Sequence, residues 1–181
     1  MAELKQEQAA KKGDLRMIAL KIEDLKTFTA QLFMGETFDY WLVREANIVT
    51  FNSFTIDGRI RQGYYSDEEL ETNRIEELSS WKTLRPFCYS LIRGKKLPES
   101  FQITLQLSPE ENEKFIRRVK PDLPADQIAA LYLNIRYENH AAACVTGTSL
   151  KIFMLDKQIE QEWDETVRRY FRKLQIPCVE V

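Results

Sequence analysis

The stretch FQITLQLSPEENEKFIRRVKP, residues 101–121, decides the fold class. Its first seven residues alternate: Phe101, Ile103, Leu105 and Leu107 fall on one side, Gln102, Thr104 and Gln106 on the other. That period of two predicts a strand with one face buried. The alternation stops at Ser108-Pro109-Glu110-Glu111, where a serine can cap the free amide three residues on. Proline stands where a helix has no use for its N–H, so a helix starts there and ends before Pro121. A half-buried strand running straight into a capped helix is the grammar of an α+β domain.

The same grammar extends in both directions. Downstream, Leu131, Leu133, Ile135 and Tyr137 alternate, Glu138–His140 turns the chain, and Ala141–Thr146 returns. Gly147 interrupts, and Leu150–Leu155 reads as a further strand. A helix over 156–174 follows, with Ile159, Trp163, Val167, Tyr170 and Leu174 on one stripe. Its acids come first and its bases last, which suits the helix dipole and pairs Asp164 with Arg168 and Glu165 with Arg169. Upstream, residues 17–22 read as a strand and residues 23–34 as a helix stopped by Gly35. Strands are expected from Phe38 and over Ile48–Ile56. Asp57-Gly58 predicts a two-residue type I′ hairpin turn into Arg59-Ile60. Ser66–Glu69 is a capping box opening a polar helix over about 67–79, and a second helix covers about 84–93, with Pro86 read as a first-turn residue.

The chain of 181 residues suffices for one domain with a real core. We expect a single α+β domain over 17–181, with antiparallel sheet and four or five helices, behind a polar extension over 1–16 that is disordered or a frayed helix. With 26 basic and 28 acidic residues, the net charge of −2 excludes a cationic nucleic-acid coat. No apolar run is long enough to span a membrane, so no membrane partner is expected. Three widely spaced cysteines are an odd number without a CxxC pair, which predicts a reducing, cytoplasmic setting rather than a disulfide framework.

The order of elements repeats. Residues 17–65 and 101–155 both read strand, helix, strand, strand, strand, separated by a helical insert over 66–100. In element order this doubled βαβββ unit resembles one domain of the DNA sliding-clamp fold, where sheets lie outside and helices face the DNA. On that resemblance the helix over 109–119 supplies a backbone-facing surface through Lys114, Arg117 and Arg118. The helix over 23–34 departs from it, carrying only Lys26 beside Glu23 and Asp24.

Four strings carry a second resemblance: TFNSFTIDGRI (50–60), LRPFCYSLIRGKK (84–96), LYLNIRYEN (131–139) and TGTSLKIFMLDKQIEQEWDE (146–165). Together they resemble a bacterial family of unknown function found mainly in anaerobic Gram-positive bacteria, over about residue 17 to the end. It implies a cytosolic bacterial protein and assigns no activity.

Candidate chemistry is sparse. His140, the one histidine, sits at a hairpin tip and reads as an exposed turn residue. No nucleophile elbow, phosphate-binding glycine loop or metal-ligand spacing occurs, and no cofactor or metal is expected. Gly147-Thr148-Ser149 lies between strands and lacks the helix N-terminus that a phosphate loop needs. Cys88 and Cys144 read as core thiols. Glu45 reads as a charge guarding an edge strand, a site residue being the other reading. The candidate anion or nucleic-acid surface comprises Arg59, Arg61 and Tyr65 on one strand face, Arg93, Lys95 and Lys96 at a helix end, and Lys114, Arg117 and Arg118. Cations of this kind meet phosphates and tyrosines stack on bases.

Two classes of function follow. The first is a non-catalytic binding or scaffold module with a nucleic-acid or protein partner, including a second copy of itself. The second is an enzyme on a small anionic substrate using Arg59, Arg61 and Glu45 or Asp57, which requires a closed, partly apolar pocket around them.

Overall fold

The computed structural model describes residues 17–181, so the expectation for residues 1–16 lies outside the described residues. The elements run β1 (Ala19–Ile22), α1 (Leu25–Phe33), β2 (Leu42–Val49), β3 (Ser53–Asp57), α2 (Asp67–Thr72), α3 (Trp81–Ile92), β4 (Ser100–Gln106), α4 (Pro109–Val119), β5 (Ile128–Glu138), β6 (Ala141–Leu150), α5 (Gln158–Lys173) and β7 (Cys178–Glu180). The fold is α+β, as the alternation and the caps require. All seven strands join one antiparallel sheet in the order β3-β2-β4-β5-β6-β1-β7.

One face of that sheet is apolar. Ala46 and Ile48 of β2, Phe101, Ile103 and Leu105 of β4, and Leu131, Leu133 and Ile135 of β5 are all buried there. Against them pack Phe28 and Leu32 from α1, Trp81 and Cys88 from α3, Phe115 and Ile116 from α4, and Trp163, Val167 and Phe171 from α5, all in one core. The alternate positions, Lys21, Glu45, Thr55, Gln102 and Arg136, are exposed. The result is two layers, with helices on one side and solvent on the other.

The local signals at helix starts operate as written. Ser66 and Glu69 form the reciprocal capping box of α2. Ser108 caps Glu111 N–H at the start of α4, with Pro109 in the first turn, although Glu111 turns its carboxylate to Lys114. Ser80 caps α3, so that helix begins at Trp81 and Pro86 stands inside it rather than in its first turn.

Several long-range expectations give way. Asp57-Gly58 does not reverse the chain: the β2–β3 turn lies at residues 50–52, where Thr50 N–H bonds Asn52 C=O at 2.9 Å. Gly58 stays on the ladder, its N–H donating to Arg44 C=O at 3.1 Å. Glycine is needed there because a Cβ would stand 1.7 Å from the Val43 carbonyl oxygen. Residues 77–79 wedge between the Gly58–Ile60 stretch and the start of β2, with Ser79 C=O accepting from Val43 N–H and Ser79 N–H donating to Gly58 C=O, each at 2.8 Å. The turn with two left-handed residues is Asn139-His140, φ 52° and 60°, joining β5 to β6.

Strand β6 runs through Gly147 without interruption, because Gly147 lies opposite Tyr132 and leaves room beside that side chain. The chain leaves the sheet after Leu150, so the strand expected to Leu155 does not form. Nor does a strand start at Phe38; residues 34–41 turn, and β2 opens at Leu42. In α5 the ion pairs differ from the expected ones: Arg168 meets Glu165 and Glu180, Arg169 meets Glu162, and Arg172 meets Glu165. Asp164 is buried instead and accepts from the Thr146 hydroxyl at 2.5 Å.

The repeat of element order is not a repeat of structure. Strand β4 pairs with β5, the strand that follows its helix, whereas the equivalent β1 pairs with β6 and β7 and never meets β2. The neighbours of corresponding strands differ, so the doubled, clamp-like unit is not the organisation of this sheet.

Candidate functional site

The nine basic and aromatic residues of the expected surface fall into three separate places. At the first, Asp57 holds Arg59 through a forked pair (Nε–Oδ1 3.1 Å, Nη2–Oδ2 2.9 Å), and Arg61 lies 3.6 Å from the same carboxylate. The Arg59 guanidinium and backbone N–H pull the Asp57 carboxyl down to about 2. One carboxylate thus serves both cations, and it binds Arg59 closely. Tyr65 does not share their strand face, because a 3₁₀ turn over Gln62–Tyr64 intervenes and sets its ring edge-on to Tyr64. Glu45 and Asp57 line an open hollow of about 370 Å³ with Arg44, Thr55 and Arg59, all polar. Glu45 guards no edge, since β2 is paired on both sides. The closed, partly apolar pocket that the enzymatic reading needs is not what lies around these residues.

The second place is α4. Lys114 pairs with Glu111 at 2.6 Å, which raises its pKa, and Arg117 pairs with Glu113. Arg118 reaches across to Thr166 of α5 at 3.2 Å with its guanidinium 5.5 Å above the Phe115 ring. Lys114 and Arg118 line an open groove of about 830 Å³ between α4, α5 and the turn before β2. Its floor is aromatic: Trp41, Phe115, Trp163 and Tyr170 pack with centroids 5.8–6.1 Å apart. Their polar ends are spent internally. Trp163 Nε1 donates to Tyr132 C=O and Tyr170 Oη donates to Thr37 C=O, at 3.0 and 2.7 Å. What the groove offers a visitor is ring edges and the exposed Tyr40 beside them.

The third place is the end of α3. Arg93, Lys95 and Lys96 line one hollow of about 600 Å³ with the β2–β3 turn. Glu99 is the one acid on its walls, and none of the three cations forms an ion pair among the described residues. Opposite them Phe51 is 85% exposed, its ring edge-on to Phe54 at 5.7 Å, and Leu97 is 70% exposed. Exposed cations and an exposed aromatic ring thus line the same hollow. Gly94, at φ 144°, takes the loop out of α3 in a conformation that other residues avoid.

A family model described as a family of unknown function, DUF5721, matches residues 31–178. The chain belongs to this family. The match runs from within α1 to the start of β7 and includes all three places. Comparison of this DUF5721 chain with curated proteins and with solved structures finds no match.

Reading the DUF5721 sequence alone misses Phe51 and the groove. Phe51 looks like one more strand aromatic between Thr50 and Asn52; the Asn52-Ser53 pair after it is the turn signal that places it at a tip. Trp41, Phe115, Trp163 and Tyr170 are scattered over the chain, and only the packing of three elements collects them. The thiols are as expected: burial raises Cys88 to about 12 and pushes Cys144 up as well. Among the described residues no group of His, Cys, Asp and Glu has the arrangement of a metal site, and no helix is long and apolar enough to cross a membrane.

Proposed function

We propose that this chain is a cytoplasmic bacterial protein and a non-catalytic binding module that takes single-stranded nucleic acid at the end of α3. The observation that carries the reading is that Arg93, Lys95 and Lys96, without a carboxylate partner among the described residues, line one hollow with the exposed Phe51. Cations that track a phosphate backbone beside an aromatic platform for a base are the elements of sequence-tolerant single-strand binding. The other two basic groups support it less, because Arg59 and Arg61 share Asp57, Lys114 and Arg117 pair with acids of α4, and Arg118 is held by Thr166 and the Phe115 ring. The cysteines support the cytoplasmic setting: all three are free, and two lie in the core.

The test is fluorescence anisotropy of a labelled single-stranded oligonucleotide across a salt series. Three phosphate contacts predict a slope of log affinity against log salt of about −2. Phe51→Ala is expected to cost about 1–3 kcal/mol of binding, and the triple change R93E/K95E/K96E to abolish it. No binding at low salt ends the proposal. The enzymatic alternative, centred on Arg59 and Arg61, predicts instead that a small anionic compound binds in the hollow beside Asp57 and is lost in Arg59→Ala.

A further inference from the structure

Strand β3 ends the sheet, with β2 as its one neighbour. The register decides which of its backbone groups face outward. Thr50 bonds Asn52 and Gly58 bonds Arg44, so the hydrogen-bonded pairs between them on the same ladder fall at Phe54 and Ile56. The N–H and C=O groups of Ser53, Thr55 and Asp57 therefore point away from the sheet.

Soluble proteins blunt such edges with proline, lysine, a bulge or an inward charge. Ser53–Asp57 uses none of these. It stays in step with β2 along its whole length, and its core-side residues Phe54 and Ile56 are apolar and only half-buried. Its single charge, Asp57, is neutralised by Arg59 and Arg61.

We propose that β3 is a dimer interface, pairing antiparallel with β3 of a second copy about a twofold axis at Thr55. In this register Thr55 stands opposite Thr55 and Ser53 opposite Asp57, so every outward group finds its complement across the axis. Phe54 faces Ile56 of the second copy at the close, non-hydrogen-bonded spacing on the core side. The contact is isologous, as a twofold pairing requires, and what favours it on this strand is that the pair it brings together on the core side is apolar while its one charge is already paired. The sheet continues through both molecules, and neither copy keeps this edge. With one short strand from each side, the association is concentration-dependent.

Light scattering and amide hydrogen exchange on the wild-type chain test this together. The mass is expected to rise with concentration from 21.3 kDa toward twice that value, with the Thr55 and Asp57 amides gaining protection in parallel. Thr55→Pro removes an outward N–H and no backbone bond to β2, its one loss there being the Thr55 hydroxyl's bond to Asn47 Oδ1 at 2.7 Å, and is expected to weaken association about tenfold or more. A mass that stays at one chain with Thr55 unprotected at every concentration overturns the proposal. So does a dimer in which Thr55 and Asp57 exchange as fast as in the dilute monomer. Both wild-type readouts decide the matter even where the proline variant does not fold.

Discussion

Gly58 shows how one residue can be read correctly as special and wrongly as to why. Asp-Gly in a run of strand residues suggests a turn, yet its glycine is required by the carbonyl of Val43 lying where a side chain would begin. Gly58→Ala is expected to force the two backbones apart, dislodging residues 77–79 and costing several times the roughly 1 kcal/mol of an ordinary glycine replacement; urea unfolding measures it. Asp164 is a second such residue. Burial raises its carboxyl above the ordinary carboxylate range, against the hydrogen bond from Thr146. An acid whose folded pKa lies above its unfolded value contributes most below the unfolded pKa, and stability falls as pH rises through the folded one. Asp164→Asn keeps an acceptor for Thr146 and is expected to flatten that decline, giving a gain in Tm that grows from acid to neutral pH in thermal melts.

Among the elements, α3 depends on a tie that no local pattern announces. Arg85 grips Asp39 with both ends of its guanidinium, at 2.9 and 3.1 Å, and the two side chains are 17% and 4% exposed. The pair fastens the helix to the turn before β2, where Trp41 meets Tyr170 of α5 at a tilt. Arg85→Ala leaves a buried carboxylate uncompensated and is expected to cost about 3–5 kcal/mol, read as a lower denaturation midpoint. Strand alternation and serine caps are short-range, so β4, α4 and the start of α2 were legible from a dozen residues each. Pairings such as Asp39 with Arg85, or residues 77–79 with two strands at once, join distant segments and leave no periodic trace. Leu150–Leu155 illustrates the reverse: an apolar run suggests a strand, but the strand ends at Leu150 and the Lys151 N–H bond to Gln127 C=O is its last tie to the neighbouring segment among the described residues.

At the scale of the whole molecule, the α+β class and the one-sided sheet follow from the sequence, while the order of strands does not. Two stretches with the same element order differ in what their first strands meet, because strand neighbours depend on which edges remain open when each strand arrives. The candidate site was legible in part. Arg93, Lys95 and Lys96 stood out by charge, but composition could not tell that carboxylates pair with most of the other basic residues and spare these. The position of β1 has a further consequence. It lies between β6 and β7, with residues 141–150 on one side and 178–180 on the other. Residues 19–22 therefore have no neighbour in the sheet until residues 141–150 have been made. Closing so long a loop delays the completed sheet, and in the interval Leu20 and Ile22 are apolar surface that the nascent chain must shield by other means.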